Sequence, residues 1–233
     1  MTCNGPTKSF TITVQPTPVV NAIANQEICN GSNTTAVSFT GTATGFTWTN
    51  DTPSIGLPAS GAGNIAAFTA INSSGAPVTA TIVVTPQYGA CIGTTKSFTI
   101  IVDPTPSVNA IGSQVVCNGS NTTLVSFSGT GTSYTWVNDN TTIGLAASGT
   151  GNIGAFAAVN IGTSPQVANI TVTPVYTGAV VCNGPTKTFS ITLTQHRLLQ
   201  HLPTSLYVTV PAQRVLTSAE QVPATTGPTT QLR

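Results

Sequence analysis

The side chains able to do chemistry in this chain are five cysteines and a few carboxylates, and their spacing limits what that chemistry is. Cys29 and Cys117 stand 88 positions apart, and each opens the string Cys-Asn-Gly-Ser-Asn-Thr-Thr. Cys3, Cys91 and Cys182 form a second set, each just ahead of a Thr-Lys-Ser/Thr-Phe string that begins at Thr7, Thr95 or Thr186. The interval from a first-set cysteine to the next second-set one is about 60 residues, unlike the short Cys-x-x-Cys spacing that holds zinc. Disulfide formation in an oxidising compartment is the chemistry that fits. The spacing predicts one bridge within each repeat, Cys29 with Cys91 and Cys117 with Cys182, each closing a loop worth about 4 kcal/mol in the chain-entropy picture. A bridge from Cys91 to Cys117 across the repeat boundary and unbridged buried thiols are the competing readings. Cys3 is expected to lack a partner because its own repeat is truncated, which accounts for the odd cysteine.

The carboxylates do not make an active site. Through Leu193 the chain has no histidine, and its acids are Glu27, Asp51, Asp103 and Asp139. Nucleophilic and acid–base catalysis need such groups within reach of a base or of each other. No paired carboxylates recur within a module and no Ser-His-Asp or Cys-His set can be assembled, so no catalytic residues are assigned and the chain is not read as an enzyme. Asp51 and Asp139 follow the tryptophan strand in equivalent Asn-Asp pairs. They are the candidate calcium ligands, although a turn using Asn and Asp for its own hydrogen bonds explains them equally; no other metal and no cofactor is implied. Asn-x-Ser/Thr sites occur at Asn30, Asn33, Asn50, Asn72, Asn118, Asn121, Asn140 and Asn169, as composition alone would produce. With 5% charged residues and a net charge of +1, nothing points to nucleic acid. No apolar run is long enough to insert a helix into a membrane.

Around these residues the chain repeats. Trp48 and Trp136, and Pro18 and Pro106, keep the same 88-residue interval, the signature of tandem domains. The interval between the last two Thr-Lys strings is 91, because Tyr176 to Cys182 holds three residues more than Tyr88 to Cys91. Residues 1–15 read as the last strand of a truncated module, with Phe10, Ile12 and Val14 alternating with polar residues. Modules follow at 16–102 and 103–193, entered through Gln15-Pro16-Thr17-Pro18 and Asp103-Pro104-Thr105-Pro106, short linkers stiffened by proline. Within module two, strands are expected at Val125–Ser128, Ser133–Val137, Ile153–Val159, Val167–Thr173 and Thr188–Leu193, with a shorter one at Ser107–Ile111. Frequent turn signals and no helical periodicity predict an all-β fold of tandem antiparallel sandwiches, with Trp48 and Trp136 as core anchors.

From Thr194 the repeat stops, and every arginine and histidine of the chain (His196, Arg197, His201, Arg214, Arg233) lies beyond it. Codons permitted for residues 194–233, shifted by one base restored ahead of Thr194, can be written to encode Asn-Pro-Thr-Pro and then a Cys and a Trp at the repeat's offsets. Residues 194–233 are therefore expected to be the next repeat read out of frame, a disordered non-native tail. The opening Met1-Thr2-Cys3-Asn4-Gly5 matches the middle of a repeat rather than a secretion signal, so the chain is read as a fragment.

The strings Cys117-Asn118-Gly119, Tyr134-Thr135-Trp136, Ile143-Gly144-Leu145-Ala146-Ala147-Ser148-Gly149-Thr150-Gly151-Asn152-Ile153, Ile170-Thr171-Val172-Thr173-Pro174 and Cys182-Asn183-Gly184-Pro185-Thr186-Lys187 resemble the PKD-like repeats of large surface and secreted Bacteroidota proteins, gliding-motility adhesins among them. The resemblance covers residues 1–193. It departs from the better-known PKD signature at Trp136-Val137-Asn138-Asp139, where Trp-x-Phe-Gly-Asp-Gly would stand. It implies immunoglobulin-like sandwiches stacked as a non-catalytic, extracellular stalk of an adhesin, with neighbouring repeats as partners. The alternative is an accessory module that binds surface polysaccharide through Tyr88 and Tyr176.

Overall fold

Alternation of apolar and hydroxyl side chains builds the sheets. In Lys96–Asp103, Phe98, Ile100 and Val102 turn inward while Ser97, Thr99 and Ile101 turn out, the period of two that a half-buried strand requires. The computed structural model describes residues 1–195. Its first sheet comprises β1 (Gln26–Cys29), β2 (Gly45–Asn50), β3 (Ser60–Ala62), β4 (Val78–Tyr88), β5 (Cys91–Ile92) and β6 (Lys96–Asp103), in the order β1-β6-β4-β2-β3 with β5 also on β4. The second repeats this order with β7 (Gln114–Cys117), β8 (Ser133–Asn138), β9 (Ser148–Thr150), β10 (Gln166–Thr177), β11 (Val181–Asn183) and β12 (Lys187–Thr194). β4 runs antiparallel to both β2 and β6. β1, however, pairs parallel to β6, placing Cys29 opposite Asp103, and β7 pairs likewise with β12, placing Cys117 opposite Thr194.

Facing each sheet is a looser layer held by single bridges, Val20 with Gly41, Asn33 with Thr69 and Val37 with Ile65 in the first module. The expected strands Ser107–Ile111, Val125–Ser128 and Ile153–Val159 are reduced there to the bridges Val108–Gly129, Val125–Ile153 and Asn121–Ala157. Side chains satisfy backbone groups that a ladder would otherwise use: Asn152 Oδ1 accepts from the Phe127 amide at 2.9 Å, and Thr122 Oγ1 from that of Phe156 at 3.0 Å. Short polar side chains compete with sheet pairing in this way. Each module is nonetheless a β-sandwich closed over a core of its own, and the two cores share no residue.

Trp48 and Trp136 are each 7% exposed. Each indole lies across the backbone of the glycine opposite it in the ladder, Gly61 or Gly149, and a Cβ on either glycine would fall inside the ring. Residues 1–15, expected as the last strand of a truncated module, join neither sheet. Phe10, Ile12 and Val14 are 85%, 79% and 87% exposed and form no strand. In both sheets the position between the first strand and the long central one is already filled by that module's own last strand, β6 or β12, so the segment has no ladder to join. Beyond Thr194, which ends β12, and Gln195, the tail lies outside the described residues.

Candidate functional site at the module junction

The strand order sends the two cysteines of a module to opposite poles. Cys29 sits beside Asp103, and the adjacent Val102 pairs with Val78 at the start of β4. Cys91 pairs with Tyr88 at the other end of β4. β4 is 11 residues long, which at ~3.3 Å per residue separates the two positions by roughly 30 Å. A disulfide needs Cα atoms within about 7 Å, so no bridge forms within the module. The structure instead joins Cys29 of the first module to Cys182 of the second, with their Cα atoms 5.6 Å apart. Cys91 and Cys117 are thiols at the two outer poles, and Cys3 is an exposed thiol. The expected pairings Cys29–Cys91 and Cys117–Cys182 are corrected accordingly, as is the competing Cys91–Cys117 bridge.

The same junction gathers further contacts. The Asn30 backbone amide donates to the Asp103 carbonyl at 2.9 Å, and its side-chain amide donates to the Thr105 hydroxyl in the linker at 2.9 Å. Asn30 Oδ1 accepts from the Asn72 amide at 2.8 Å, and buried Asn72 donates from Nδ2 to the Val102 carbonyl at 2.7 Å. From the second module, the hairpin between β10 and β11 reaches across: the Ala179 amide donates to Glu27 Oε1, and Gly178 packs against the Glu27 and Asp103 carboxyls. A side chain at position 178 would collide with both. This is the hairpin carrying the three residues absent between Tyr88 and Cys91. Cysteine spacing alone did not reveal Glu27, Asp103, Asn72 or Gly178 as a group. The signal available was divergence between the repeats: Val115 and Thr194 stand where Glu27 and Asp103 do.

Asp103 is 1% exposed. Its Oδ2 lies 4.0 Å from the Cys182 sulfur, which in a disulfide has no proton to donate. Burial, then the neighbouring Glu27 charge and a hydrogen bond to Glu27, push the Asp103 carboxyl above its ordinary 3.8. The folded junction therefore holds a proton that the unfolded chain releases. Stability from this group is fully present below pH 3.8 and falls as pH rises through the raised value. Asp103→Asn, whose amide can donate to Glu27 permanently, is expected to raise Tm at neutral pH and flatten its dependence on pH above 3.8. An unchanged or lower Tm at neutral pH would contradict this reading of the pair.

The calcium candidates lie elsewhere and are engaged internally. Asp51 Oδ1 accepts from the Thr81 amide and the Thr52 hydroxyl, both at 2.8 Å. Asp139 accepts from the Asn169 amide at 2.7 Å and its side chain at 2.8 Å. The Thr81 amide bond lowers the Asp51 carboxyl below 3.8, and the Asn169 side chain does the same for Asp139. Among the described residues, no three acidic, histidine or cysteine side chains come together as a metal site would require. Of the glycosylation strings, Asn50 and Asn72 are buried at 5% and 4% and spend their amides on backbone carbonyls. Tyr88 and Tyr176 are half-buried beside Cys91 and Cys182, one at an outer pole and the other at the junction.

No family model matches the chain, and no curated protein does. Among solved structures it is similar to mouse cadherin-23 repeats EC22-24, at 11% identity, 77% of this chain, 65% of that one and a TM-score of 0.34. It is also similar to the insect immune protein hemolin, at 13% identity, 77% of this chain, 47% of that one and a TM-score of 0.36. The fibronectin(III)-like modules of Clostridium thermocellum CbhA match at 12% identity, over 79% of this chain and 97% of that one, with a TM-score of 0.32. The chain thus spans less than two thirds of the cadherin fragment and about half of hemolin.

Proposed function

We propose that this chain is a non-catalytic spacer segment of an extracellular adhesive protein, in which sandwich modules are fastened in series to hold another region away from the surface. The observation that carries this reading is the Cys29–Cys182 bond, a covalent link across a junction already spanned by a Pro-Thr-Pro linker. Two connections at one junction restrict hinging, which suits a strut better than a catalyst. A disulfide also favours an oxidising, extracellular setting. A polar surface built from hydroxyls and amides, with 5% charged residues, gives little attraction for nucleic acid or anionic lipid. The text resemblance to PKD-like repeats of Bacteroidota surface adhesins supports the same assignment, with neighbouring repeats as the first partners. Single-molecule stretching tests it: a spacer so fastened resists extension until the bond is reduced, whereas equal extension before and after reduction would overturn the proposal.

A further inference from the structure

The two outer poles keep part of the junction's construction, without the Glu27 and Asp103 carboxyls and without the three extra hairpin residues. At Cys117, the Asn118 amide donates to the Thr194 carbonyl at 2.9 Å, as Asn30 does to Asp103. Asn118 Oδ1 accepts from the Asn160 amide at 2.8 Å, and Asn160 Nδ2 donates to the Leu193 carbonyl at 3.2 Å, matching Asn30, Asn72 and Val102. The Cys117 sulfur is exposed, 3.6 Å from the Thr194 hydroxyl. At the opposite end, Cys91 occupies the hairpin position of Cys182. Gly93 packs on the Pro18 carbonyl and bonds to the Pro86 carbonyl at 3.0 Å, as Gly184 packs on Pro106 and bonds to Pro174 at 2.9 Å. Cys91 is half-exposed. The equivalent cysteine positions are already bonded within this same chain, so each outer pole presents one cysteine position of an observed covalent link.

We propose that Cys117 is an attachment site for the hairpin cysteine of a further copy of this module, and that Cys91 is the cysteine such a hairpin presents. Successive modules would then be joined by a ladder in which the first cysteine of each is bonded to the second cysteine of the next. For two copies of this chain the occupant is the Cys91 pole of one on the Cys117 pole of the other, head to tail. The bond needs an oxidant, and a small-molecule disulfide supplies it. One thiolate displaces half of the oxidant as a thiol, forming a mixed disulfide. The second thiolate then displaces the other half, so the oxidant accepts two electrons and both protons. This assignment does not depend on what the spacer carries.

The test uses the full chain with Cys3→Ser, removing the exposed competitor of second-cysteine type, and concentrated protein treated with oxidised glutathione. Unreduced digests are then mapped by mass spectrometry. The expected result is covalent oligomers containing the Cys117–Cys91 peptide pair, lost completely on adding either Cys117→Ser or Cys91→Ser. Retention of the Cys29–Cys182 pair in every variant shows that the fold is kept. Glutathione-capped monomers alone, Cys117–Cys117 or Cys91–Cys91 pairs, or loss of the Cys29–Cys182 pair would each overturn the ladder.

Discussion

Stretched from its two ends with the Cys29–Cys182 bond intact, the chain is expected to lengthen only through the segments outside that bond. Tension entering at the N-terminal end reaches Cys29, crosses the disulfide and leaves through β11 and β12, so most of both sandwiches lies off its path. The bond spans a sequence separation of 153. At about 3.3–3.6 Å per extended residue, reduction should therefore release roughly 500 Å of additional chain. That length should appear as the unfolding of two modules, since the two cores share no residue. Cys29→Ser should behave as the reduced protein without any reductant. Bridges within each module would give a different record, two separately hidden loops of roughly 200 Å each. Force spectroscopy with and without reductant distinguishes the two patterns, and identical traces would exclude any tension-bearing role for the bond.

The second large effect concerns the tryptophan seat. Trp136→Ala should destabilise the second module by about 3–5 kcal/mol, the range for emptying a large aromatic from a core. Gly149→Val forces the indole off the β9 backbone and should cost about 1–3 kcal/mol through overpacking. Because the valine would fill space that the ring had occupied, the double variant should lose less than the sum of the two. Calorimetry on the reduced chain should show the second module's transition shifted and the first module's retained. Equal shifts in both transitions would mean that the sandwiches are not energetically separate, and strict additivity would remove the Trp136–Gly149 contact from the account.

Much of this fold was legible because local pattern and burial agree. Phe189, Ile191 and Leu193 alternate on paper and are 3%, 0% and 0% exposed. Ser133–Val137 became β8 with Trp136 inside. What stayed hidden depends on strand order rather than on local pattern. β1 and β7 are four residues long and lack strong alternation, yet their parallel pairing with the last strand sets where Cys29 and Cys117 lie. Without that pairing, a separation of about 60 residues between cysteines suggested a loop closed within one module, whereas β4 in fact holds them at opposite ends. The facing layer was read as strands because its apolar residues are spaced suitably, but its Asn and Thr side chains take over the backbone bonds. The junction acids were also missed, since Glu27 and Asp103 are far apart in sequence and absent from the second repeat.

The most direct check is the disulfide map of the intact chain, digested without reduction after its thiols are capped by alkylation. The fold predicts a linked peptide pair joining Cys29 to Cys182, with Cys91 and Cys117 alkylated. Peptides joining Cys29 to Cys91 and Cys117 to Cys182 would contradict it, and with it the covalent fastening of one module to the next.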